Sequence, residues 1–341
     1  MPAEQRAAEP GRYYGDMIPV LRSVFGAREV LLETQQVVVD GSVYPLVDDV
    51  IVCLDRASWP DSLRQRIDVP QGFQGSTEIA RDIQATFGQE WKTFRTVLPE
   101  HEAEFRCYFD LLDLNALAAA RLCDLGCGMG RWSYFAARYC REIVLVDFSD
   151  AIFVAREVMR GHSNAVFVMA DVRRLPFAPD FADLIFTLGV LHHLPTPALD
   201  EVIALKRYAR RLLVYLYYAL DNRPAHFRAL LSLVTPLRLA LAGVRSERVR
   251  IGIARAIAVF VYLPLIALGA LLRPVGLHTK VPLYETYHEA SLGRIVQDAY
   301  DRFFTRIEQR FTRHQIDRLG AHFHRVTISD DLPYWHFLCE G

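Results

Sequence analysis

The sequence predicts an α/β fold built on an open, mostly parallel β-sheet with helices on both faces. Three observations support this prediction. From residue 121 onward, short apolar strands alternate with helical stretches; the strands read RLCDL, EIVLVD, AVFVMA, ADLIFT and RLLVYLYY. A glycine-rich turn follows the first strand, and an aspartate ends the second. This alternation is typical of β-α-β units whose strands are buried on both sides.

The glycine-rich turn is the segment LCDLGCGMGRW at 122–132. Gly126, Gly128 and Gly130 let the backbone pass close to a ligand, because no Cβ stands in the way. Asp147 follows 21 residues after the first of these glycines, at the end of IVLVD. An acid at that distance suits a ribose with two free hydroxyls. The pattern therefore predicts a nucleoside-bearing cofactor at the carboxyl edge of a parallel sheet.

Composition narrows the class of protein. The chain has 341 residues, of which 52% are hydrophobic, enough to bury a full core in more than one lobe. Its formal net charge of −1 gives no electrostatic reason to expect binding to nucleic acid. The six cysteines form no CxxC pair, which argues against a disulfide framework and a structural zinc site. We expect no metal. Because the N-terminus lacks an apolar signal core, a cytoplasmic setting is the default expectation.

The regions before residue 121 and after 221 depart from the alternating pattern. Residues 17–55 are expected to form strands around an Asp40-Gly41 hairpin turn. A long, apolar helical stretch precedes a capping box at Thr312 and Gln315, and FHRVTISD and YWHFLCE are then expected to close the sheet. The predicted division is an N-terminal β segment with linker (1–75), a cofactor-binding core (76–221), a helical insertion (222–299) and a C-terminal helix with closing strands (300–341).

Four segments in order carry a family resemblance: DLGCGMG, VLVDFS, FVMADVRRLPF and FADLIFTLGVLHHLP. Over roughly 121–219 the chain resembles class I S-adenosylmethionine (SAM)-dependent methyltransferases, and is most similar to the small-molecule group that includes quinone-biosynthesis methyltransferases. The resemblance implies a seven-stranded, mostly parallel Rossmann-like sheet with helices on both faces, to which this sequence adds a small N-terminal β segment and a helical insertion before the last strands. It also implies SAM as the cofactor.

The resemblance assigns roles to the cofactor-binding residues. The glycine loop would wrap the methionine part of SAM, with the backbone near Leu188 meeting its amino group. Asp147 would accept the ribose hydroxyls, Phe148 would lie against adenine, and Asp171 would accept from the adenine amine. The full set is Asp124, Gly126, Cys127, Gly128, Gly130, Asp147, Phe148, Asp171, Val172 and Leu188.

NAD is the competing cofactor. Dinucleotide folds use GxGxxG, in which a helix N-terminus receives a pyrophosphate. Here the spacing is GxGxG, and Asp171 supplies a second acid after the third strand. SAM has no phosphate that would need the GxGxxG spacing, and its adenine amine needs an acceptor such as Asp171. The sequence therefore favours SAM over NAD.

Two segments before the glycine loop carry weaker resemblances. YPLVDDVIVCLD is similar to the end of a small zinc-binding module often fused ahead of such methyltransferases. Because only Cys53 stands in the matching region, we expect a metal-free remnant. FGQEWKTF resembles the helix placed just before the catalytic sheet, where it helps to cover the cofactor and puts Trp91 at the substrate pocket.

Methyl transfer from a sulfonium is an in-line displacement, so aligning the acceptor is the main task and contributes about 7–11 kcal/mol. A general base adds about 10²–10⁴-fold. His192 and His193, after the fourth strand, and His288, in YETYHEAS, are the candidate bases; they could equally shape a loop or lie on a surface helix. Tyr217 and Tyr218 could line the acceptor pocket or simply pack.

The insertion contains 17 consecutive uncharged residues, 256–272. As a helix they span about 25 Å, short of the roughly 30 Å bilayer core, and Pro264 would kink them. Two interpretations stay open: a buried lid over the substrate, or a hairpin, 226–275, that dips into a membrane face to reach a lipid-linked acceptor. The flanking Arg250, Arg255 and Arg273 could meet lipid phosphates or be solvated helix ends.

The sequence thus predicts a SAM-dependent methyltransferase acting on a small-molecule or lipid- or sugar-linked acceptor, with O-methylation favoured. It would be cytoplasmic, with peripheral membrane contact if the hairpin interpretation holds. A non-catalytic SAM-fold subunit or scaffold is the alternative, and a nicotinamide oxidoreductase ranks third.

Overall fold

A computed structural model describes residues 12–67, 84, 96–244 and 246–341. The FGQEWKTF segment, with Trp91, lies outside the described residues, as do residues 68–83 before it. The helix expected there and the pocket role of Trp91 remain predictions.

The centre of the fold is one sheet of eleven strands in the order β1-β2-β3-β4-β7-β6-β5-β8-β9-β11-β10. The strands are β1 (Val30–Glu33), β2 (Gln36–Val39), β3 (Ser42–Val47), β4 (Val50–Val52), β5 (Arg121–Leu125), β6 (Glu142–Asp147), β7 (Ala165–Met169), β8 (Leu184–Leu188), β9 (Arg211–Tyr215), β10 (Arg325–Ile328) and β11 (His336–Glu340). The expectation of seven strands is therefore wrong.

The extra strands come from the N-terminal segment. β1 to β4 form an antiparallel meander, and β4 then pairs in parallel with β7, placing Ile51 opposite Val168. Four short strands cannot bury a core of their own, so they extend the edge of the main sheet instead. The predicted hairpin turn is confirmed: Asp40 and Gly41 both have positive φ, as a two-residue hairpin of this kind requires.

The strands from β4 to β9 run parallel, and the chain changes direction across the sheet at β5. From β5 it proceeds through β6 to β7 on one side, and β8 then pairs on the other side. β11 is antiparallel to β9 and β10 to β11, so the two predicted closing strands are present. The carboxyl ends of β5 and β8 flank a crevice of the kind in which open α/β sheets bind ligands.

Helices cover both faces of the sheet. Side chains alternate along β5, so that Cys123 joins the core under α1 and α6, while Leu122 joins the core under α4 and α5. The helices are α1 (Ile18–Phe25), α2 (Asp61–Arg66), α3 (Glu100–Tyr108), α4 (Arg131–Ala136), α5 (Ala151–Val158), α6 (Ala198–Leu205), α7 (Ala225–Ala242), α8 (Glu247–Ile257), α9 (Leu263–Leu272), α10 (Tyr284–Tyr287), α11 (Leu292–Phe304) and α12 (Arg313–Asp317). The capping box predicted at Thr312 and Gln315 is confirmed at the start of α12.

The helical insertion forms a third packing unit beside the sheet. α8 runs without a break through a π-helical turn, Ala258–Tyr262, into α9, which contains Pro264 in its first turn. A π turn is one way a helix accommodates the hydrogen bond that proline cannot make. α11 packs against this unit, with Ala299 and Tyr300 in one apolar cluster with Ala254 and Tyr262.

Candidate active site

The loop after β5 is shaped by its glycines. Gly126 has φ +76°, and a Cβ added there would lie 2.5 Å from both γ carbons of Val190. A side chain at Gly126 would therefore collide with the segment after β8, so the loop and that segment approach as closely as glycine allows. Between them opens a cavity of about 200 Å³ at the carboxyl ends of the parallel strands, lined in part by Gly126 and Val190.

Asp147, at the end of β6, joins the glycine loop to the cavity wall. Its carboxylate accepts hydrogen bonds from the Gly128 amide (2.9 Å) and from the amide and hydroxyl of Ser149 (2.8 and 2.7 Å). Burial raises the pKa of Asp147, and these hydrogen bonds oppose the rise. Asp147 also lines the cavity, so a ligand that enters it meets this carboxylate. Its role toward the ribose hydroxyls remains a prediction.

Asp124 supports the loop from within β5. It is buried, and its carboxylate accepts a 2.7 Å hydrogen bond from the Ser133 hydroxyl in α4. Burial raises the pKa of Asp124 to about 7, and the Asp147 carboxylate adds to the rise. Asp124, Cys127, Gly128 and Gly130 are absent from the lining of the cavity. They form or support the loop, and their predicted roles toward the cofactor remain predictions.

The remaining predicted cofactor residues line the cavity: Phe148, Asp171, Val172 and Leu188. Asp171 is held by Arg173, whose guanidinium donates to it at 3.0 and 2.7 Å and whose amide donates at 2.9 Å. Burial alone would raise the pKa of Asp171, but the hydrogen bonds from Arg173 outweigh it and lower the pKa. Asp171 is therefore a fixed, ionised acceptor at the wall, which fits its predicted role toward an adenine amine.

The three candidate histidines occupy different places. His193 lines the cavity, and its Nδ1 lies 2.7 Å from the carbonyl oxygen of Ile307. His192 is fully buried, with its ring centroid 3.9 Å from that of Tyr217, and burial lowers its pKa well below the ordinary value. His288 stacks on Tyr284 beside a separate cavity. The structure thus brings His193 to the site and leaves His192 and His288 outside it.

Of the two candidate tyrosines, Tyr217 lines the cavity and donates a 2.6 Å hydrogen bond to Asp301. Tyr218 is absent from this lining, and its ring packs against Tyr334. Tyr215, which no sequence motif marks, also lines the cavity.

The largest group of cavity residues not predicted from the sequence lies on α11. Five polar side chains of this helix line the cavity: Arg294, Gln297, Asp298, Asp301 and Arg302. Their spacing places them on one helical face. That periodicity is visible in RIVQDAYDR and indicates an amphipathic helix, although it does not show what the polar face contacts.

Ion pairs fix this polar face. The Arg294 guanidinium donates to both oxygens of Glu104 in α3, at 2.8 and 3.3 Å, and also pairs with Asp298. Asp298 accepts a 2.6 Å hydrogen bond from Tyr287. Burial would raise the pKa of Asp298, but nearby Arg294 and Arg302 lower it. The cavity therefore has a nucleoside-suited half around Asp147 and Asp171 and a polar half of mixed charge under α11.

Comparisons with known proteins agree with this geometry. Residues 122–212 match a family model described as a methyltransferase domain. The search of curated proteins found no match. The glycine loop and the two cavity-facing aspartates fit SAM. Residues 122–212 are thus a methyltransferase domain of the class I SAM-dependent type, an enzyme domain whose cofactor is SAM.

Similar solved structures include a putative methyltransferase from Bacillus halodurans, with 20% identity over 40% of this chain and 59% of that one and a TM-score of 0.35. A phosphoethanolamine N-methyltransferase from Haemonchus contortus, in complex with phosphoethanolamine and S-adenosylhomocysteine, shows 16% identity over 40% and 33% of the two chains, with a TM-score of 0.34. A SAM-dependent methyltransferase from Aquifex aeolicus shows 19% identity over 37% and 71%, with a TM-score of 0.33.

Proposed function

We propose that the whole protein is an active, cytoplasmic SAM-dependent methyltransferase that methylates an oxygen of a small-molecule acceptor or of the small headgroup of a lipid- or sugar-linked one. The supporting observation is the two-part cavity. Its first half carries Asp147 and Asp171 as acceptors for a nucleoside, and its second half offers tyrosine, arginine and carboxylate groups to a polar acceptor. The resemblance to the quinone-biosynthesis group supports a small acceptor, and we interpret the N-terminal strands as a metal-free remnant.

When bound, SAM supplies an activated methyl group and a good leaving group. The contribution of the protein is to align the acceptor, exclude water and receive a proton. Tyr217 and Asp301 form a hydrogen-bonded pair at the cavity wall, able to orient an acceptor hydroxyl. Such alignment supplies about 7–11 kcal/mol in favourable cases.

His193 is the residue we propose as general base. A carbonyl oxygen can only accept, so the 2.7 Å contact with Ile307 places the ring proton on Nδ1. The Nε2 of the neutral ring is then in its unprotonated form, as a base requires. A hydroxyl acceptor needs such a base, and this need favours O-methylation in our proposal.

The test begins with calorimetric binding of S-adenosylhomocysteine, followed by transfer of a labelled methyl group from SAM to aqueous and lipid extracts. We expect binding, and a labelled product whose methyl group sits on oxygen. In His193→Gln, we expect turnover to fall about 10²–10⁴-fold with unchanged cofactor affinity, and His192→Gln serves as the adjacent control. Binding without turnover on any extract would favour the scaffold alternative, and absence of binding would refute the proposal.

A further inference from the structure

We propose that α7, α8 and α9, here called the helical hairpin, bind the protein to the surface of an anionic lipid bilayer. The hairpin would lie flat in the interface, with its exposed apolar side chains in the outer acyl region and its arginines at the phosphates. Such binding goes beyond methyl transfer and does not depend on it.

The first support is the exposure of apolar surface. α7 and the continuous helix Glu247–Val275 are long and apolar enough to cross a membrane by length and composition, yet only 6% and 17% of their apolar windows are buried. Core helices of soluble proteins pass the same composition test but are mostly buried. Leu233 and Phe260 are each 77% exposed, and Leu271 is 75% exposed.

The distribution of such residues over the molecule is uneven. Among the residues that the structure describes, every exposed large apolar side chain except Leu31 and Val43 lies between 230 and 292. Soluble monomers rarely leave contiguous apolar patches of this kind uncovered, and larger ones mark interaction sites. The helical hairpin therefore has a partner, and its charge indicates which.

The second support is charge. Residues 225–275 contain seven arginines and a single acid, Glu247, in a chain whose formal net charge is −1. Arg248 and Arg255 are exposed on α8, and Arg273 is exposed directly after α9. Basic side chains beside an exposed apolar face are the signature of helices that lie in the interface of anionic membranes.

Charge also decides against a second copy of the chain as the occupant. A symmetric dimer through the helical hairpin would bring two strongly basic surfaces together, and like charges facing each other oppose association. Anionic lipid headgroups complement the same surface.

A complete membrane crossing is disfavoured by geometry. The uncharged stretch between Arg255 and Arg273 spans about 25 Å, less than the roughly 30 Å of a bilayer core. The opposite side of this continuous helix is occupied, because Ala254 in α8 and Ala258 in the π-helical turn pack into the cluster built on α11. The helical hairpin is therefore fixed to the domain along one side and available to lipid along the other.

The same packing relates the bilayer to the cavity. α11 contacts α8 through Ala299 and Tyr300, and it lines the cavity through Asp298 and Asp301. The polar half of the cavity is thus one helix away from the lipid-facing surface. This arrangement favours an acceptor carried at the membrane, a part of the inference that rests on the proposed function.

The test is flotation of the full-length protein with vesicles of phosphatidylcholine alone or with 30% phosphatidylglycerol, without SAM or acceptor. We expect binding to the anionic vesicles that weakens in 0.5 M NaCl. Replacing Leu233, Phe260 and Leu271 together by serine should weaken binding at least tenfold. Replacing Arg248, Arg255 and Arg273 together by glutamine should remove its salt dependence.

The matched control is Leu31→Ser with Val43→Ser, which changes exposed apolar residues at the far edge of the sheet and should leave binding unchanged. An unchanged far-ultraviolet circular dichroism spectrum and urea midpoint in every variant would show that each one folds. Absence of flotation with anionic vesicles, or equal flotation of the serine variant, would overturn the proposal. A dimer that dissociates in the serine variant, without lipid binding, would also overturn it. If the protein floats but methylates only water-soluble extracts, the membrane-borne acceptor is refuted and the docking surface stands.

Discussion

Replacing Gly126 by alanine tests whether the close approach of the glycine loop to Val190 shapes the site. Two costs are expected. At φ +76° a Cβ strains the backbone by about 1–2 kcal/mol. The new Cβ would also lie 2.5 Å from both γ carbons of Val190, so one of the two segments must move, which costs about 1–3 kcal/mol. The free energy of unfolding should therefore fall by about 2–5 kcal/mol.

Urea denaturation of the cofactor-free protein, followed by circular dichroism, measures this change. Gly41→Ala separates the two costs: Gly41 has φ +83° with nothing within 4 Å of its added Cβ, so it should show the strain alone. Combining Gly126→Ala with Val190→Ala should remove the two closest contacts, those with the γ carbons, leave the Val190 Cβ 3.0 Å from the added Cβ, and keep the strain. The alanine at 126 should therefore cost less in the Val190→Ala background than in the natural one.

The reasoning would be refuted if Gly126→Ala cost no more than Gly41→Ala, or if Val190→Ala left the cost of Gly126→Ala unchanged. Calorimetry with S-adenosylhomocysteine gives a second readout. Because the collision displaces a wall of the cavity, affinity should fall in Gly126→Ala and recover in part in the double variant.

Three further predictions concern charged and polar groups of the site. Asp147→Asn should weaken S-adenosylhomocysteine binding about 10- to 100-fold by calorimetry, because a charged acceptor contributes about 1.5–3 kcal/mol; unchanged affinity would contradict the ribose assignment. The pKa of Asp124 rises from 3.8 to about 7 on folding, so its stabilising contribution is complete below pH 3.8 and is lost as pH rises through 7. The loss in the free energy of unfolding is at most about 4 kcal/mol, and Asp124→Asn should abolish it. Urea titrations at several pH values measure this, and an unaltered dependence of stability on pH in the variant would contradict the prediction. Tyr217→Phe, which removes the hydrogen bond to Asp301, should lower acceptor turnover at least tenfold while cofactor affinity stays within twofold; loss of both would indicate a structural role.

The parallel strands and the glycine loop were predictable because their signals are local. Each strand of the central sheet is a short, continuous apolar run, and the loop follows the first of them. The eleven-stranded sheet was not predictable in the same way. β4 pairs with β7 across more than a hundred residues, with Val50 opposite Phe167. Nothing in either short apolar segment specifies that partner, so the N-terminal strands could not be added to the sheet from sequence.

The candidate site shows the same division. Asp147 and Asp171 follow strand ends and reach the cavity as the sequence predicted. Neighbouring residues were harder to separate: His193 lines the cavity while His192 is buried against Tyr217. Which of the two histidines reaches the cavity depends on the packing of the short turn Leu191–His193. The polar face of α11 was missed for a related reason, because helical periodicity reveals two faces without naming their partners.

The two-sided packing of α11 has a consequence for regulation. One helix supplies a wall of the cavity and a support for the helical hairpin. If α11 takes different positions in the lipid-bound and the free protein, lipid attachment and acceptor binding are linked through this helix, and such linkage is reciprocal. If attachment to lipid tightens acceptor binding by some factor, the acceptor must tighten attachment to lipid by that same factor. The enzyme would then dwell longest on membrane patches that carry its own substrate.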